Sequence, residues 1–310
     1  MATSTDTTMQ PLYLERDGMT RDHRGLWSDA WRRLVRNRLA MVGLIVLVVA
    51  GGIAFLAPYV DSIERYTPSA ISGDNQLGPS SGHWFGTDQL GRDIWARTLE
   101  GVRVSIQIGV GTQVVVLALG LSFGVLAAFG GRFTDNIVMR FTDIMFSFPD
   151  LLWFILLRAI LIERDIPLMT DIVVMILAIG LISWTTIARL VRGQMLSLAE
   201  RDFVLAARAL GASRWRIVVQ HMVPNTLGPV IVAITFGIPA AIFAEASLSF
   251  IGLGVPPPTA SLGNLISEGY KTIQRNVWNA VFPAGAVALL MLSFTFLGDG
   301  LRDALDPRTR

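Results

Sequence analysis

Charged side chains are absent from five long stretches of this chain: residues 39–60, 104–131, 172–188, 222–244 and 276–298. A helix rises about 1.5 Å per residue, so about 20 apolar residues cross a hydrocarbon core about 30 Å thick. A sixth stretch, 137–160, is interrupted by Arg140, Asp143, Asp150 and Arg158, yet its middle is dominated by Met, Phe, Leu, Ile and Trp. The pattern predicts six spans, at about 39–60, 104–131, 137–160, 172–190, 222–252 and 277–298. An interfacial or re-entrant segment is the alternative for the third. Lipid offers no partner to backbone polar groups, so only helices or closed barrels cross it. Barrel strands alternate over about ten residues, whereas these runs are apolar all round. The expectation is an all-α membrane protein with six transmembrane helices. Gly120 and Gly124 form a G-x-x-x-G pair of the kind that lets helices approach closely. The first span is longer than the apolar core of a cleaved leader, about 7–15 residues, and reads as a retained anchor.

Composition sharpens the picture. Of 310 residues, 52 % are hydrophobic and 16 % charged, and the mean hydropathy is +0.52. Soluble domains carry about 25 % charged residues, so the charge for a wetted surface is missing. Cysteine is absent, which excludes disulfides, thiolate metal sites and cysteine nucleophiles. A net charge of +2 is too small to argue for nucleic acid. Of the 26 basic residues, all but Lys271 are arginine, and their placement orients the chain. With six spans, the N-terminus, the second and fourth connections and the C-terminus hold seven, two, six and three arginines. The opposite segments hold eight basic residues. Basic residues favour the cytoplasm, so both termini are predicted to be cytoplasmic. Five spans would invert the second half and put the six-arginine loop outside.

This gives a layout. Residues 1–26 read as a disordered cytoplasmic segment, polar and Thr-rich. Residues 27–38, with apolar positions at 27, 31, 34 and 35 between arginines, read as an interfacial helix or equally as an ordinary basic flank. The membrane domain covers 39–300, with external loops 61–103 and 253–276 and a cytoplasmic loop 191–224. Residues 301–310 form the cytoplasmic C-terminus.

Several chemistries are missing. There is no G-x-x-x-x-G-K-[ST] phosphate loop, because Tyr270 stands before Lys271-Thr272 where glycine is required. No G-x-S-x-G or H-E-x-x-H occurs, and His23, His83 and His221 lie in three different segments, so no metal site is expected. A secondary transporter acting alone would show inverted repeats or broken helices around an ion site, and no convincing repeat is present. An intramembrane enzyme would need a nucleophile and base in adjacent spans.

Residues 200–225 carry the most information. Phe203, Ala206, Ala207 and Leu210 fall at helical spacing, with Leu205 and Arg208 between them. Gly211 allows a turn, and Ala212 and Ser213 lead into a second short helix containing Trp215. Such a helix suits docking into a groove on a partner. A hairpin packed on its own membrane domain explains the spacing equally well. In the first external loop, Phe85, Gly86, Thr87, Asp88, Gly91, Arg92 and Asp93 combine two turn-forming glycines with alternating charges. The intervening arginine favours a salt-bridge cluster over a calcium-like site. Glu245, Asp143 and Asp150 lie within spans, where charge is costly and faces protein or water. They are candidates for a polar pathway or for interhelix contacts.

These residues resemble a known family. Ala206-Ala207-x-x-x-Gly211, with Pro224 thirteen residues later, is similar to the "EAA" loop of ABC-importer permeases. Leu205, His221 and Val223 stand where that motif has Glu, Ile and Leu. The stretch from Phe85 to Asp93 resembles the F-G-T-D-x-x-G-R-D signature of the dipeptide/oligopeptide branch. The Phe250-Ile251-Gly252-Leu253-Gly254 run and the Gly298-to-Arg308 ending match the same branch, so the resemblance covers about residues 30–310. It implies the type I ABC-importer permease fold and the second, C-type subunit, multi-pass in a bacterial cytoplasmic membrane. The implied partners are a second homologous permease, two ATPase subunits and an extracytoplasmic substrate-binding protein. ATP and Mg sit on the ATPases, and no cofactor sits on this chain. The loop residues Leu205 to Trp215 would be the coupling element. The implied cargo is dipeptides or oligopeptides, with nickel, glutathione or an oligosaccharide as alternatives within the branch.

Overall fold

The computed structural model describes residues 26–163 and 170–306. Of the segment 1–26 expected to be disordered, residues 1–25 lie outside them, as do the last residues of the C-terminus, while Leu26 begins a helix. The described residues are built from helices, with a single isolated bridge between Thr87 and Asp93.

The first helix, α1 (Leu26–Arg36), turns Ala30 and Leu34 inward against Ala40 and Ala304 and leaves Arg32 and Arg36 exposed. Asn37 then breaks the helix and caps the next, α2 (Arg38–Leu56), by accepting a hydrogen bond from the Ala40 amide at 3.2 Å. A short turn, α3 (Asp61–Glu64), opens the outer loop. The 36-residue α4 (Ile94–Phe129) is capped by Asp93, whose carboxylate accepts from the Ala96 amide at 2.8 Å. It begins ten residues before the charge-free run, because its first turns are buried in protein rather than lipid. Gly120 and Gly124 mark its seam with α7 (Asp171–Ala199). A Cβ at Gly120 would lie 2.7 Å from Ile187 Cβ, and one at Gly124 2.6 Å from Val191 Cβ.

The third expected span is not one helix. It is divided into α5 (Gly131–Ser147) and α6 (Asp150–Glu163). Pro149 lies at the break. Proline lacks an N–H and forces the preceding residue out of the helical region, and Phe148 is accordingly extended at φ −95°, ψ 144°. Among the described residues, five helices are long and apolar enough to cross a membrane: Arg38–Tyr59, Ile94–Phe129, Asp171–Ala199, Arg214–Phe250 and Trp278–Leu305.

Between α7 and the next span lie α8 (Asp202–Ala209) and α9 (Arg214–Ile217). A π-helical turn, Val218–Met222, joins α9 to α10 (Val223–Phe250) without interruption. After α10, α11 (Leu262–Lys271) packs between α10, α4 and α12 (Trp278–Leu305). Besides the contact of Ala30, Leu34, Ala40 and Ala304, three larger apolar clusters among the described residues hold the bundle. Leu262, Leu265 and Leu290 centre the first, Ile108, Met175 and Ile179 the second, and Val191, Met195 and Met222 the third. The outward face of α2, including Leu39, Ile45 and Val48, is more than half exposed, as a lipid-facing stripe would be.

Candidate functional site: a projecting loop, an outer ion cluster and an intramembrane cavity

The α8–α9 hairpin is fixed to the bundle at few points. Val204 is fully buried and Ile217 nearly so, both in the apolar cluster of Val191, Met195, Met222 and Val230. Gly211 ends α8 in the left-handed region at φ +81°. Its amide donates to Arg208 O and the Ala212 amide donates to Ala207 O, each at 3.0 Å. This is the two-bond stop that satisfies the last carbonyls of a helix. Ser213 then caps α9, accepting from the Arg216 amide at 3.3 Å. The rest of the hairpin faces out. Leu210 is 88 % exposed and Trp215 72 %, and Phe203, Leu205, Ala206 and Arg208 are exposed beside them. The periodicity of Phe203, Ala206, Ala207 and Leu210 therefore does not mark the packed face. Val204, with Ala207 partly buried, does that.

The loop between α3 and α4 forms an ion cluster over the ends of α4 and α11. Gly86 and Gly91 turn the chain at φ +83° and +79°. Asp88, only 4 % exposed, accepts from the amides of Leu90 and Arg92 at 2.8 and 2.9 Å. It also accepts from Arg92 Nε at 2.6 Å and from a terminal nitrogen of Arg97 at 2.5 Å. Arg97 and Arg92 both reach Glu268 of α11, at 2.6 and 3.2 Å. Asp93 takes no part in this. It pairs with His83 Nδ1 at 2.8 Å and caps α4. Thr87 accepts from the Leu77 amide at 2.9 Å, and Phe85 stacks on Phe282 of α12 at 3.8 Å. Asp88 thus has four donors on its two oxygens, and among the described residues no group of three His, Asp or Glu side chains is placed to hold a metal ion. Nearby, burial holds the Glu64 carboxyl above the usual carboxylate range, opposed by Arg103 and helped by Glu100 and Asp61. His83, Arg97 and Glu268 were not singled out from the sequence. Arg97 follows the Asp93 cap by one helical turn, which is a readable signal. Glu268 lies 171 residues from Arg97, and nothing local announces it.

The span carboxylates separate. Glu245 is fully buried, accepting from Ser249 Oγ at 2.6 Å and from Ser105 Oγ of α4 at 3.4 Å. Ser261, at the start of α11, donates to Ser249 Oγ at 3.1 Å and extends the chain of hydroxyls. Asp143 pairs with Arg189 of α7 at 3.0 Å, and Asp135 binds Arg192 through both oxygens at 2.5 and 2.7 Å. Both pairs tie α5 to α7. Asp150 is exposed in the first turn of α6 and lines a cavity of about 580 Å³ bounded by α4, α6, α7 and α10.

The chain is similar to known proteins along most of its length. Residues 120–310 match the family described as binding-protein-dependent transport system inner membrane component. Residues 25–79 match the N-terminal transmembrane domain of oligopeptide transport permease C. The oligopeptide transport system permease protein OppC of Bacillus subtilis is 43 % identical over 285 residues, covering 92 % of this chain and 90 % of that protein. The dipeptide transport system permease protein DppC of the same organism is 40 % identical, covering 96 % and 90 %. OppC of Escherichia coli is 39 % identical, covering 93 % of each. Among solved structures, a chain of the inward-facing MetNI methionine ABC transporter shares the fold, with a TM-score of 0.53 and 21 % identity, covering 66 % of this chain and 94 % of that one.

Proposed function

This chain belongs to the inner-membrane permease components of binding-protein-dependent ABC importers, as a C-type subunit of the oligopeptide/dipeptide branch, and we propose that its α8–α9 hairpin receives the energy for peptide import from separate ATPase subunits. The observation that carries this is the contrast within the hairpin. Leu210 and Trp215 are 88 % and 72 % exposed, while Val204 and Ile217 are locked into the bundle. A large apolar tip on a rigid base is what a docking element needs.

Displacement of the tip has a direct route inward. The α9 helix, the π-turn and α10 form one continuous apolar helix from Arg214 to Phe250. A partner that pushes on Trp215 therefore pushes on a membrane span, not on a slack linker. In this reading ATP and Mg are held by two ATPase subunits, and their closure on ATP moves the hairpin and changes the access of the pathway. A second, homologous permease completes that pathway. An extracytoplasmic binding protein delivers peptide to the opposite face, where the Asp88–Arg97–Glu268 cluster holds α11 against α4. In this reading α5 and α6 together make one further crossing beside the five long helices, which places both termini and the hairpin on the cytoplasmic side, in keeping with the arginine bias of the sequence.

The test is reconstitution of the chain with its permease, ATPase and binding-protein partners in proteoliposomes. Peptide-stimulated ATP hydrolysis coupled to peptide uptake is the expected result. Hydrolysis stimulated by nickel, glutathione or an oligosaccharide but not by peptide would overturn the peptide assignment, and uptake without ATPase subunits would overturn the energy source.

A further inference from the structure

Gln113 sits near the middle of α4, inside the charge-free run 104–131, and is 6 % exposed. It lines the 580 Å³ cavity between α4, α6, α7 and α10, a size typical of small-molecule sites. Most hydroxyls around this cavity are already satisfied by their own helices. Ser183 donates to Ile179 O at 3.0 Å, Thr185 to Ile182 O at 3.3 Å and Ser247 to Phe243 O at 2.8 Å. The Gln113 amide has no such bond. Among the described residues it makes no hydrogen bond, and neither of its amide atoms is among the fully enclosed unpaired ones, so the amide opens onto the cavity.

The facing helix makes room for it. Gly237 of α10 lies opposite, and a Cβ there would come within 2.9 Å of Gln113 Nε2. Any larger residue at 237 would push the amide aside. Glycine inside a helix is unfavourable, so an open space at this spot serves the amide more than it serves α10. An amide side chain offers two N–H donors and a carbonyl acceptor. A peptide bond presents the complementary set, one N–H and one C=O, whatever the side chains beside it. Such a partner suits a transporter whose cargo varies in sequence and shares only its backbone.

We propose that Gln113 is a specificity residue that hydrogen-bonds the backbone amides of a peptide passing through this cavity, with Gly237 keeping the space its amide occupies. The inference rests on the peptide-import reading above and assigns a residue to it.

The experiment uses the full reconstituted transporter, with the binding protein saturated by either of two probes: a tripeptide, or the same tripeptide N-methylated at one backbone amide. Gln113→Leu keeps the bulk and removes the hydrogen bonds, and Gly237→Ala displaces the amide without deleting it. One lost hydrogen bond predicts a fall in tripeptide uptake of about threefold to tenfold for Gln113→Leu, and a fall in the same direction for Gly237→Ala. N-methylation should slow uptake by the unsubstituted complex and add no penalty in Gln113→Leu. The double variant should be no worse than Gln113→Leu alone. Unchanged tripeptide uptake in Gln113→Leu, or an undiminished N-methyl penalty there, overturns the proposal while leaving peptide import standing. Loss of the partner permease from purified Gln113→Leu complex also overturns it, because the amide would then belong to a subunit contact. Absence of tripeptide uptake by the unsubstituted complex overturns the peptide reading and this inference with it.

Discussion

Truncating Leu210 to alanine separates the two roles open to the α8–α9 hairpin. Leu210 is 88 % exposed, so almost none of its side chain contributes to the packing of this chain. Substitutions at such positions change stability by no more than about 0.5 kcal/mol. The same side chain buried in a groove of an ATPase subunit would lose three carbons, about 2 kcal/mol at about 0.8 kcal/mol for each. Since 1.4 kcal/mol is a factor of ten, Leu210→Ala is expected to weaken ATPase association about 30-fold. The Tm of the isolated permease should stay within a degree or two of the parent. Release of ATPase subunits from the immobilised complex on dilution measures the first quantity, and thermal unfolding in detergent the second. Val204→Ala is the control with the opposite signature, since Val204 is fully buried. It should lower the Tm. Unchanged ATPase retention in Leu210→Ala, or a Tm drop matching that of Val204→Ala, would refute the docking argument.

Two further substitutions probe the frame around the site. Asp88→Asn leaves Arg97, 2 % exposed, with Glu268 alone among its ion-pair partners. Removing one member of a buried charge pair costs about 3–5 kcal/mol, softened here because Glu268 remains, so a Tm fall of several degrees and faster proteolysis of the outer loop are expected. An unchanged Tm would mean the cluster is solvated in the membrane. Gly124→Val places a branched side chain where even a Cβ lies 2.6 Å from Val191. It should force α4 from α7 and cost about 1–3 kcal/mol, read as lost thermal stability and lower membrane yield, whereas Gly52→Ala, with open space around its Cβ, should be silent.

The parts of the fold that rest on local chemistry were legible in the sequence. Charge-free runs mark the five long apolar helices, because a missing charge is a direct statement about solvent. The G-x-x-x-G pair at Gly120 and Gly124 marks the α4–α7 seam. The third stretch is not one continuous helix, because Pro149, whose missing N–H splits α5 from α6, leaves no mark in a pattern of charges. In the outer loop, adjacency suggested that Asp88, Arg92 and Asp93 form one network. Successive side chains at a turn point in different directions, and Asp93 instead caps α4 and pairs with His83. Glu268 completes the cluster from a distant helix, which no local pattern encodes. On α8, a two-turn helix is too short for periodicity to decide which face is packed, and Val204 rather than Leu210 turned inward. Gln113 is uncharged and so leaves the charge-free run 104–131 unbroken.

The central claim is that energy enters through the hairpin, and Gly211 tests it most directly. Gly211 holds φ +81°, and a Cβ there meets nothing within 4 Å. Gly211→Leu therefore strains one residue, by about 1–2 kcal/mol, and adds bulk to the docking tip without disturbing the bundle. The decisive measurement is ATP-driven peptide uptake by the reconstituted Gly211→Leu transporter, normalised to permease inserted in the membrane. The account predicts normal insertion with uptake lost or uncoupled from ATP hydrolysis. Uptake at the parent rate would contradict it.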